Sequence, residues 1–237
     1  MPSLMRTTVA DGIYRTLRDM ILGLKFEPGQ ELNVVDLTER LQVSRSPVRD
    51  ALMKLSNDKL VDIFPQKGTR VSLLDLDQVE EERFIRTGLE EQAVKRFVDR
   101  WTASDIAAME AAIAQQKIME ASRSYEQFLV WDDTFHSIIF TGIGRTRSWQ
   151  LIQSQCGNYH RIRLLSFWYE GVSHDVIAQH EQLVQAFKER NLDLVLEVEH
   201  RHLTKLLTEA NWMMEKYPRF FVAPNQNQGD HSKGELR

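Results

Sequence analysis

The sequence contains one cysteine, Cys156, and no histidine before residue 130. A single cysteine excludes an intramolecular disulfide and suits a reducing compartment. The sequence also lacks any run of 18 apolar residues, and its first residues lack the apolar core of a signal peptide. Both absences argue against a membrane or secreted protein, so we expect the protein to be soluble and cytoplasmic.

Neither sign of charge is in large excess over the 237 residues, which carry a net charge of −4. The two parts of the chain nevertheless differ. Residues 1–70 hold 11 lysines and arginines against 9 aspartates and glutamates, whereas the remainder holds 19 against 25. A chain of this length can form two modest domains, each with a core of its own. The small basic excess therefore belongs to an N-terminal domain, where it favours a nucleic-acid partner.

Residues 43–69 carry the clearest local motif. Ser46 is followed by Pro47, a pair that we expect at the start of a helix, with Ser46 as its N-cap. Apolar residues then recur with helical spacing at Val48, Ala51, Leu52 and Leu55. A shorter helix is predicted over residues 34–41, and two strands over residues 60–64 and 69–73 with a turn between them. This order indicates a helix-turn-helix followed by a wing.

Basic residues lie where such a fold meets DNA. Arg45, Ser46 and Arg49 surround the N-terminal end of the second helix, where free N–H groups attract phosphate and an arginine can pair with guanine. Lys67 and Gly68 lie at the predicted wing tip, where a lysine reaches the DNA and a glycine permits a tight turn. A solvated amphipathic helix with chance arginines explains either arginine alone equally well, but the assembled order favours DNA binding.

The fold class predicted by these patterns is mainly α, an N-terminal winged helix-turn-helix followed by a C-terminal all-α antiparallel helical bundle. A first helix over residues 7–24 completes the winged-helix domain, which we assign to residues 1–73. Residues 77–221 show no convincing strand and are predicted to form about six helices. The helical patterns cover residues 77–100, 104–122, 125–142, 148–168, 174–190 and 193–216. We expect the polar residues 222–237 to form a disordered tail.

Three histidines and one aspartate lie on apolar faces of three predicted bundle helices. Asp132 and His136 are four residues apart on one face, and His180 and His202 lie centrally on two later apolar stripes. Buried polar groups without partners cost about 1–3 kcal/mol each. A divalent metal would satisfy all four, and imidazole with carboxylate suits zinc, nickel or manganese. The alternative is that each histidine is hydrogen-bonded within the core, as a lone core histidine usually is; four correctly phased residues favour the metal.

Two arginines are candidates for binding an anion. Arg86 shares a helix face with apolar residues, and a buried arginine is almost always paired, either with Glu90 at i+4 or with an anionic ligand. The residues alone leave those two alternatives open. Arg163, which shares a stripe with Cys156 and Tyr159, is a second candidate. We interpret Cys156 itself as a small buried residue rather than a metal ligand.

The N-terminal residues resemble a known family. The winged-helix domain of GntR-family bacterial transcription regulators is similar in two runs, V-S-R-S-P-V-R-D-A-L at residues 43–52 and P-Q-K-G-T-R-V at residues 65–71. Leucines at positions 32, 37, 41, 55 and 60 extend the resemblance. Some relatives carry a third DNA-contacting arginine in the first helix of the motif, where this sequence has Val35.

The C-terminal half resembles the FCD domain, the all-helical ligand-binding half of FadR-type GntR regulators. The run D-D-T-F-H at residues 132–136 matches the D-x-x-F-H pattern of that domain, and His180 and His202 take its two later histidine positions. The resemblance implies that Asp132, His136, His180 and His202 bind a metal with a small carboxylate effector beside it, and it favours that effector over Glu90 as the partner of Arg86; Arg163 stays the second candidate cation. A bundle of six rather than seven helices is typical of the shorter, VanR-like branch.

These features together predict a one-component transcription regulator, and since most such regulators repress, we expect a repressor. We expect a homodimer to bind a palindromic operator, because one recognition helix reads too few bases. Two alternatives stay open. One is a metal-dependent enzyme built on the bundle, because histidines, a carboxylate and open coordination positions can activate water or oxygen. The other is a constitutive DNA-binding protein with a purely structural metal.

Overall fold

Three helices and a β-hairpin form the N-terminal part of the protein in the computed structural model, which describes residues 8–223 apart from the side chains of residues 206–209. The elements are α1 (Val9–Leu22), α2 (Val34–Leu41), α3 (Arg45–Asn57), β1 (Val61–Phe64) and β2 (Gly68–Val71). All three helices and the hairpin contribute apolar residues to one core, among them Leu17, Leu37, Leu55 and Val71. The predicted winged helix-turn-helix is therefore confirmed, and we call this part the reading head.

The start of α3 differs from the sequence-based expectation. Ser46 was predicted as the N-cap, but α3 begins at Arg45, and Ser44 takes the N-cap position without a side-chain cap bond. Arg45, Ser46 and Pro47 therefore form the first turn, where proline is tolerated because its missing N–H would have no partner within the helix. The first-turn amides of α3 accordingly have no side-chain acceptor at the N-cap.

The wing is a two-stranded antiparallel hairpin. Val61 lies opposite Val71, and Phe64 lies opposite Gly68. The turn between the strands places Gln66 at a φ of 61° and Gly68 at a φ of 105°. Both angles lie in the left-handed region, which glycine adopts without the steric cost that a side chain brings. Gly68 thus has a conformational reason to occupy this position.

Seven helices form the bundle among the described residues, one more than predicted. They are α4 (Leu76–Phe97), α5 (Ala103–Ala121), α6 (Tyr125–Gly142), α7 (Thr146–Gln155), α8 (Gly157–Ser166), α9 (Val172–Lys188) and α10 (Leu192–Lys216), followed by a 3-10 turn at Pro218–Phe220. Their apolar faces meet in a second core, separate from that of the reading head. Among residues 8–223, no helix has both the length and the apolar character needed to cross a membrane.

The additional helix arises because the predicted helix over residues 148–168 is broken at Cys156. Glu82 of α4 stabilises the new helix start, since its two carboxylate oxygens accept hydrogen bonds from Asn158 Nδ2 (2.7 Å) and Tyr159 N (2.8 Å). A carboxylate at a helix N-terminus satisfies amides that have no partner within the helix. The predicted number of about six helices is one short because this partner lies far away in the sequence, and seven helices no longer favour the VanR-like branch.

The reading head packs directly on the bundle. Arg161 of α8 is fully buried and donates to Ser72 O (2.8 Å) and Ser72 Oγ (3.1 Å), just after β2. Arg18 of α1 donates to Gln153 O of α7 (2.5 Å). Leu60 lies against Gly157, where an added Cβ would come within 3.0 Å of the leucine side chain. The glycine therefore allows α8 to approach the reading head closely.

The chain returns to the junction between its two parts at its described end. Leu74 N donates to Phe220 O (2.8 Å), and Val222 N donates to Leu74 O (2.9 Å). Val222, the first residue of the predicted disordered tail, is thus hydrogen-bonded. Residues 224–237, and with them the rest of that prediction, lie outside the described residues.

Candidate metal centre and DNA-binding surface

Four side chains from three helices direct donor atoms at one another inside the bundle. Asp132 and His136 come from α6, His180 from α9 and His202 from α10, and their nearest donor atoms all lie within 4.8 Å of one another. His136 Nε2 lies 3.2 Å from His202 Nε2, and His180 Nε2 lies 3.6 Å from Asp132 Oδ1. Atoms bonded to one ion at about 2.1 Å lie roughly 3–3.5 Å apart at tetrahedral or octahedral angles. The structure therefore brings all four sequence-predicted ligands together.

In each of the three imidazoles, the ring nitrogen that points away from the cluster, Nδ1, faces a hydrogen-bond acceptor on another helix. The pairs are Glu90 Oε2 with His136 Nδ1 (2.5 Å), Gln116 Oε1 with His180 Nδ1 (3.0 Å) and Gln179 Oε1 with His202 Nδ1 (2.9 Å). A ring that donates through Nδ1 carries a lone pair on Nε2. The facing Nε2 atoms of His136 and His202 would repel each other unless a cation lay between them. The donor set therefore fits a metal ion.

Burial keeps these donors in the protonation state that metal binding requires. It lowers the pKa of His180 to about 3 and lowers the pKa of His202 well below its ordinary value. Burial alone would raise the pKa of Asp132, but the charge of Arg163 lowers it instead. His180 Nε2 is buried and has no hydrogen-bond partner among the described residues. His180 and His202 therefore favour unprotonated nitrogens and Asp132 an ionised carboxylate, the forms that bind metals.

Two buried carboxyl groups lie on the outer side of His136. They are Glu90 of α4 and Glu199 of α10, and both are almost fully inaccessible. Burial alone would raise the pKa of Glu90, but the charge of Arg86 lowers it. Burial and then the charge of Glu90 raise the pKa of Glu199 well above its usual range. The protonated form of Glu199 is thus favoured, and this pair is better suited to supporting His136 than to binding a second ion.

Three of these supporting residues were not predicted from the sequence: Gln116, Gln179 and Glu199. The helical spacing of the sequence indicates that two of them, Glu199 and Gln116, are buried. Glu199 lies three residues before His202 and shares its face, and Gln116 lies three and four residues after buried apolar residues of α5. That spacing indicates burial, but it does not indicate which imidazole each residue meets.

Arg86 and Arg163 both lie beside the cluster, and both have partners within the chain. Arg86 Nε binds Glu90, so the internal pairing left open by the sequence is present. Arg86 Nη2, however, is buried without a hydrogen-bond partner among the described residues. Arg163 binds Asp132 through Nη2 and Asp133 through Nη1 (3.1 Å). Arg86 therefore keeps one nitrogen for an anion, whereas an anion at Arg163 must compete with two carboxylates.

Two cavities adjoin these arginines. The larger has a volume of about 540 Å³ and reaches Arg86 and Trp149, but its described lining includes none of the four candidate ligands. The smaller has a volume of about 30 Å³ and touches Asp132 and His202. Arg163 and Tyr159 line both cavities. These two side chains therefore separate the metal cluster from the larger cavity.

The residues predicted to contact DNA are all exposed. Arg45, Ser46 and Arg49 lie at the N-terminal end of α3, and Lys67 and Gly68 lie at the tip of the hairpin. The ion pairs of the reading head's described residues do not involve Arg45, Arg49 or Lys67. Unpaired cations beside uncapped helix amides are a suitable arrangement for binding phosphate and base edges.

Two family models match the chain. The model of the bacterial regulatory proteins of the gntR family covers residues 9–71, and the model of the FCD domain covers residues 83–205. The chain is a GntR-family transcriptional regulator with an FCD domain. All five candidate DNA contacts fall within the first match, and all four candidate metal ligands fall within the second. The resemblance identified from the sequence is therefore confirmed.

Relatives of this GntR-family regulator are themselves transcriptional regulators. It is 29% identical over 194 residues to the HTH-type transcriptional repressor RspR of Escherichia coli (strain K12), covering 82% of this chain and 85% of that protein. It is 28% identical over 211 residues to the HTH-type transcriptional repressor GlaR of the same organism, covering 84% and 94%. The structure of E. coli McbR/YncC shares the fold, with a TM-score of 0.72, 18% identity and coverage of 89% and 99%. The family consists of DNA-binding regulators rather than enzymes, so the enzyme alternative is set aside.

Proposed function

We propose that this regulator is a cytoplasmic repressor whose homodimer binds a palindromic operator, and that a small carboxylate controls it from the metal cluster. The observation that supports metal control is the 3.2 Å approach of His136 Nε2 to His202 Nε2, beside Asp132 and His180. A bound cation relieves the repulsion between these lone pairs without protonating a buried ring. We assign DNA binding to residues 1–73 and effector control to residues 77–221.

Asp132, His136, His180 and His202 would hold a divalent ion such as zinc, nickel or manganese. Bound there, the ion supplies positive charge and open coordination positions that attract a carboxylate. Three residues of the chain position the imidazoles that would bind the ion. Gln116 and Gln179 each accept a hydrogen bond from one Nδ1 atom, which sets the tautomer and the orientation of that ring, and Glu90 Oε2 lies 2.5 Å from the Nδ1 atom of His136.

Arg163 is placed to respond when a carboxylate arrives. It binds Asp132 and lines both cavities, so an entering carboxylate competes with Asp132 for the same guanidinium. A change of partner moves Arg163 and with it α8. On another side of α8, Arg161 binds Ser72 at the end of the wing. Binding shifts the reading head only as far as the ligand prefers one of the two arrangements.

We propose that the outer face of α4 forms the dimer contact. Phe84 is 71% exposed and Ile85 is 39% exposed, and a Cβ added at Gly88 would meet nothing within 4 Å. An exposed aromatic with a bare glycine one turn away allows a second helix to approach closely. In analytical ultracentrifugation we expect Phe84→Glu to be monomeric and Phe84→Leu to stay dimeric. A dimeric Phe84→Glu variant would exclude this face.

The test of carboxylate control is operator binding measured with metal-loaded and chelator-treated protein. The operator is first selected by the protein from random DNA duplexes. We expect one of a series of small carboxylates to weaken operator binding, and we expect chelation to abolish that response and added zinc to restore it. An operator affinity that no carboxylate changes would instead support a constitutive DNA-binding protein with a structural metal.

A further inference from the structure

The larger cavity has one wall that the bundle does not supply. Arg18, Asp19 and Leu22 of α1 line it together with Gly23, the C-cap of that helix, and the remaining lining comes from α4, α6, α7, α8 and the break at Cys156. Helix α1 belongs to the reading head and shares its core with the recognition helix α3. An occupant of this cavity therefore touches the reading head and the bundle at the same time.

Three arginines from the two sides reach this cavity: Arg86 and Arg163 from the bundle and Arg18 from α1. Asp19, Glu126 and Asp133 also line it. Two of these carboxylates already have cations, because Glu126 binds Lys25 (3.0 Å) and Asp133 binds Arg163 (3.1 Å). Arg163 is thus already paired with a carboxylate of the lining, and the two other arginines of the lining are Arg86 and Arg18.

Two of the arginines offer a nitrogen that an anion can take. Arg86 Nη2 is buried and has no hydrogen-bond partner among residues 8–223. The Arg86 guanidinium lies 5.4 Å from the ring centre of Tyr159 and 5.9 Å from that of Trp149, and these rings hold the charge at the cavity wall. Arg18 Nη2 donates to a neutral backbone carbonyl, Gln153 O. A carboxylate is a stronger acceptor than a carbonyl, so it can displace this contact.

We propose that the cavity binds a small dicarboxylate, with one carboxylate on Arg86 and Arg163 and the other on Arg18. The volume of about 540 Å³ lies within the range of small-molecule sites, roughly 300–1,000 Å³, and exceeds what a single carboxylate needs. This inference rests on the proposed carboxylate control: the carboxylate on Arg163 is the one that competes with Asp132 beside the metal cluster, and the second carboxylate, on Arg18, bridges the two parts of the protein. The ligand then acts on the reading head directly through α1, as well as through α8.

Helix α1 connects the proposed dicarboxylate to the DNA-binding surface through the core of the reading head. Leu17 and Ile21 of α1 lie in the same core as Leu52 and Leu55 of α3. Because packed cores move as units, a ligand that holds α1 against the bundle also sets the orientation of α3. In a dimer, that orientation determines the separation of the two recognition helices.

The test is calorimetric titration of the zinc-loaded, full-length protein with succinate, glutarate and propionate. We expect wild type to bind a dicarboxylate more tightly than propionate. Arg18→Gln should weaken dicarboxylate binding by at least about 10-fold, because it removes a charge-assisted hydrogen bond, and should leave propionate binding unchanged. Arg18→Lys should retain part of the preference. Arg15→Gln, which alters an exposed arginine on the same helix, should change neither affinity.

Each other result overturns the inference. An Arg18→Gln variant that binds dicarboxylates as tightly as wild type removes the bridge but leaves carboxylate control in place. Equal weakening of all three ligands in that variant would mean that Arg18 only holds α1 against the bundle. A wild-type protein that binds propionate alone excludes the dicarboxylate, and one that binds none of the three overturns the proposed carboxylate control as well.

Discussion

The reading head and the centre of the bundle are built in opposite ways. The candidate DNA contacts are exposed and lie within one short stretch of sequence, whereas the candidate metal ligands are on three helices and spread from residue 132 to residue 202. An exposed charge keeps its hydration until DNA arrives, so it needs no partner in the protein. A buried donor atom without a hydrogen-bond or metal partner costs free energy, so the protein must supply that partner. The exposed DNA-binding site therefore needs no partner residues around it. The buried metal site requires a supporting layer, that is, residues that contact the remaining polar atoms of its ligands.

That layer is visible around the metal cluster. Glu90, Gln116 and Gln179 each hold the outer nitrogen of one imidazole. No corresponding support surrounds Arg45 and Arg49 among the described residues, since both are exposed and absent from the ion pairs of the reading head. Substitutions one step away from a ligand should consequently affect the buried site, whereas neighbours of the DNA contacts should have little effect.

The largest expected effect comes from removing a ligand. His180→Ala should lower zinc affinity by more than about 100-fold, because even the loss of a ligand's hydrogen-bond partner costs about 10–100-fold. Competition with a chromophoric chelator measures this affinity. His200→Ala is the matched control, because the His200 side chain is 65% exposed and lies on the same helix as His202. Zinc affinity that is equal in His180→Ala and wild type would show that the cluster is an ordinary hydrogen-bonded core.

A change in the supporting layer is expected to have the next largest effect. Gln116→Leu removes the acceptor for His180 Nδ1 and should lower zinc affinity by about 10–100-fold without unfolding α5. The neighbouring substitution Gln115→Leu should leave zinc affinity unchanged. Chelator competition and circular dichroism of both variants test this prediction. If the two variants bind zinc equally well, the buried site does not depend on its surroundings and the contrast with the reading head disappears.

Each residue of the DNA-binding surface should contribute to operator binding independently of its neighbours. Arg45→Ala and Arg49→Ala should each weaken operator binding by about 1–3 kcal/mol if they read bases, and neither should change zinc affinity. Fluorescence anisotropy with the selected operator measures the loss. Lys54→Ala is the control on the same helix, because Lys54 is paired with Asp11. Wild-type operator binding by either arginine variant would remove that residue from the contact surface.

The smallest effect concerns the stability of the metal-free protein in acid. Burial lowers the pKa of His180 from 6.5 to about 3. Between these values the unfolded chain binds a proton on His180 and the folded chain does not, so the free energy of unfolding falls as the pH falls. We expect a loss on the order of 1–2 kcal/mol from His180 between pH 7 and pH 5.

Urea unfolding of the protein in the presence of a chelator measures this pH dependence. His180→Gln should show a shallower fall than wild type over the same pH range, whatever its absolute stability. Parallel pH profiles for the two proteins would show that burial does not hold His180 neutral. Burial of His180 would then cost no more free energy of folding than an exposed DNA contact does.

The reading head could be predicted in detail because its signals are local. The residues of α2, α3 and the hairpin follow one another directly, and only details changed, such as the N-cap at Ser44 instead of Ser46. Helical phase also placed the four candidate ligands inside the bundle. It could not identify the partners of their rings, because Glu90, Gln116 and Gln179 carry no local sign of the imidazole that each one faces. The break at Cys156 was missed for the same reason, since Glu82 stabilises it from another helix.

The most direct test of the account is X-ray diffraction from crystals of the full-length protein at the absorption edges of zinc, nickel and manganese. We predict one anomalous peak per chain, bonded to the Nε2 atoms of His136, His180 and His202 and to the Asp132 carboxylate. The account would be contradicted by crystals of metal-supplemented protein that show no peak at these atoms, with His136 and His202 joined by a direct hydrogen bond.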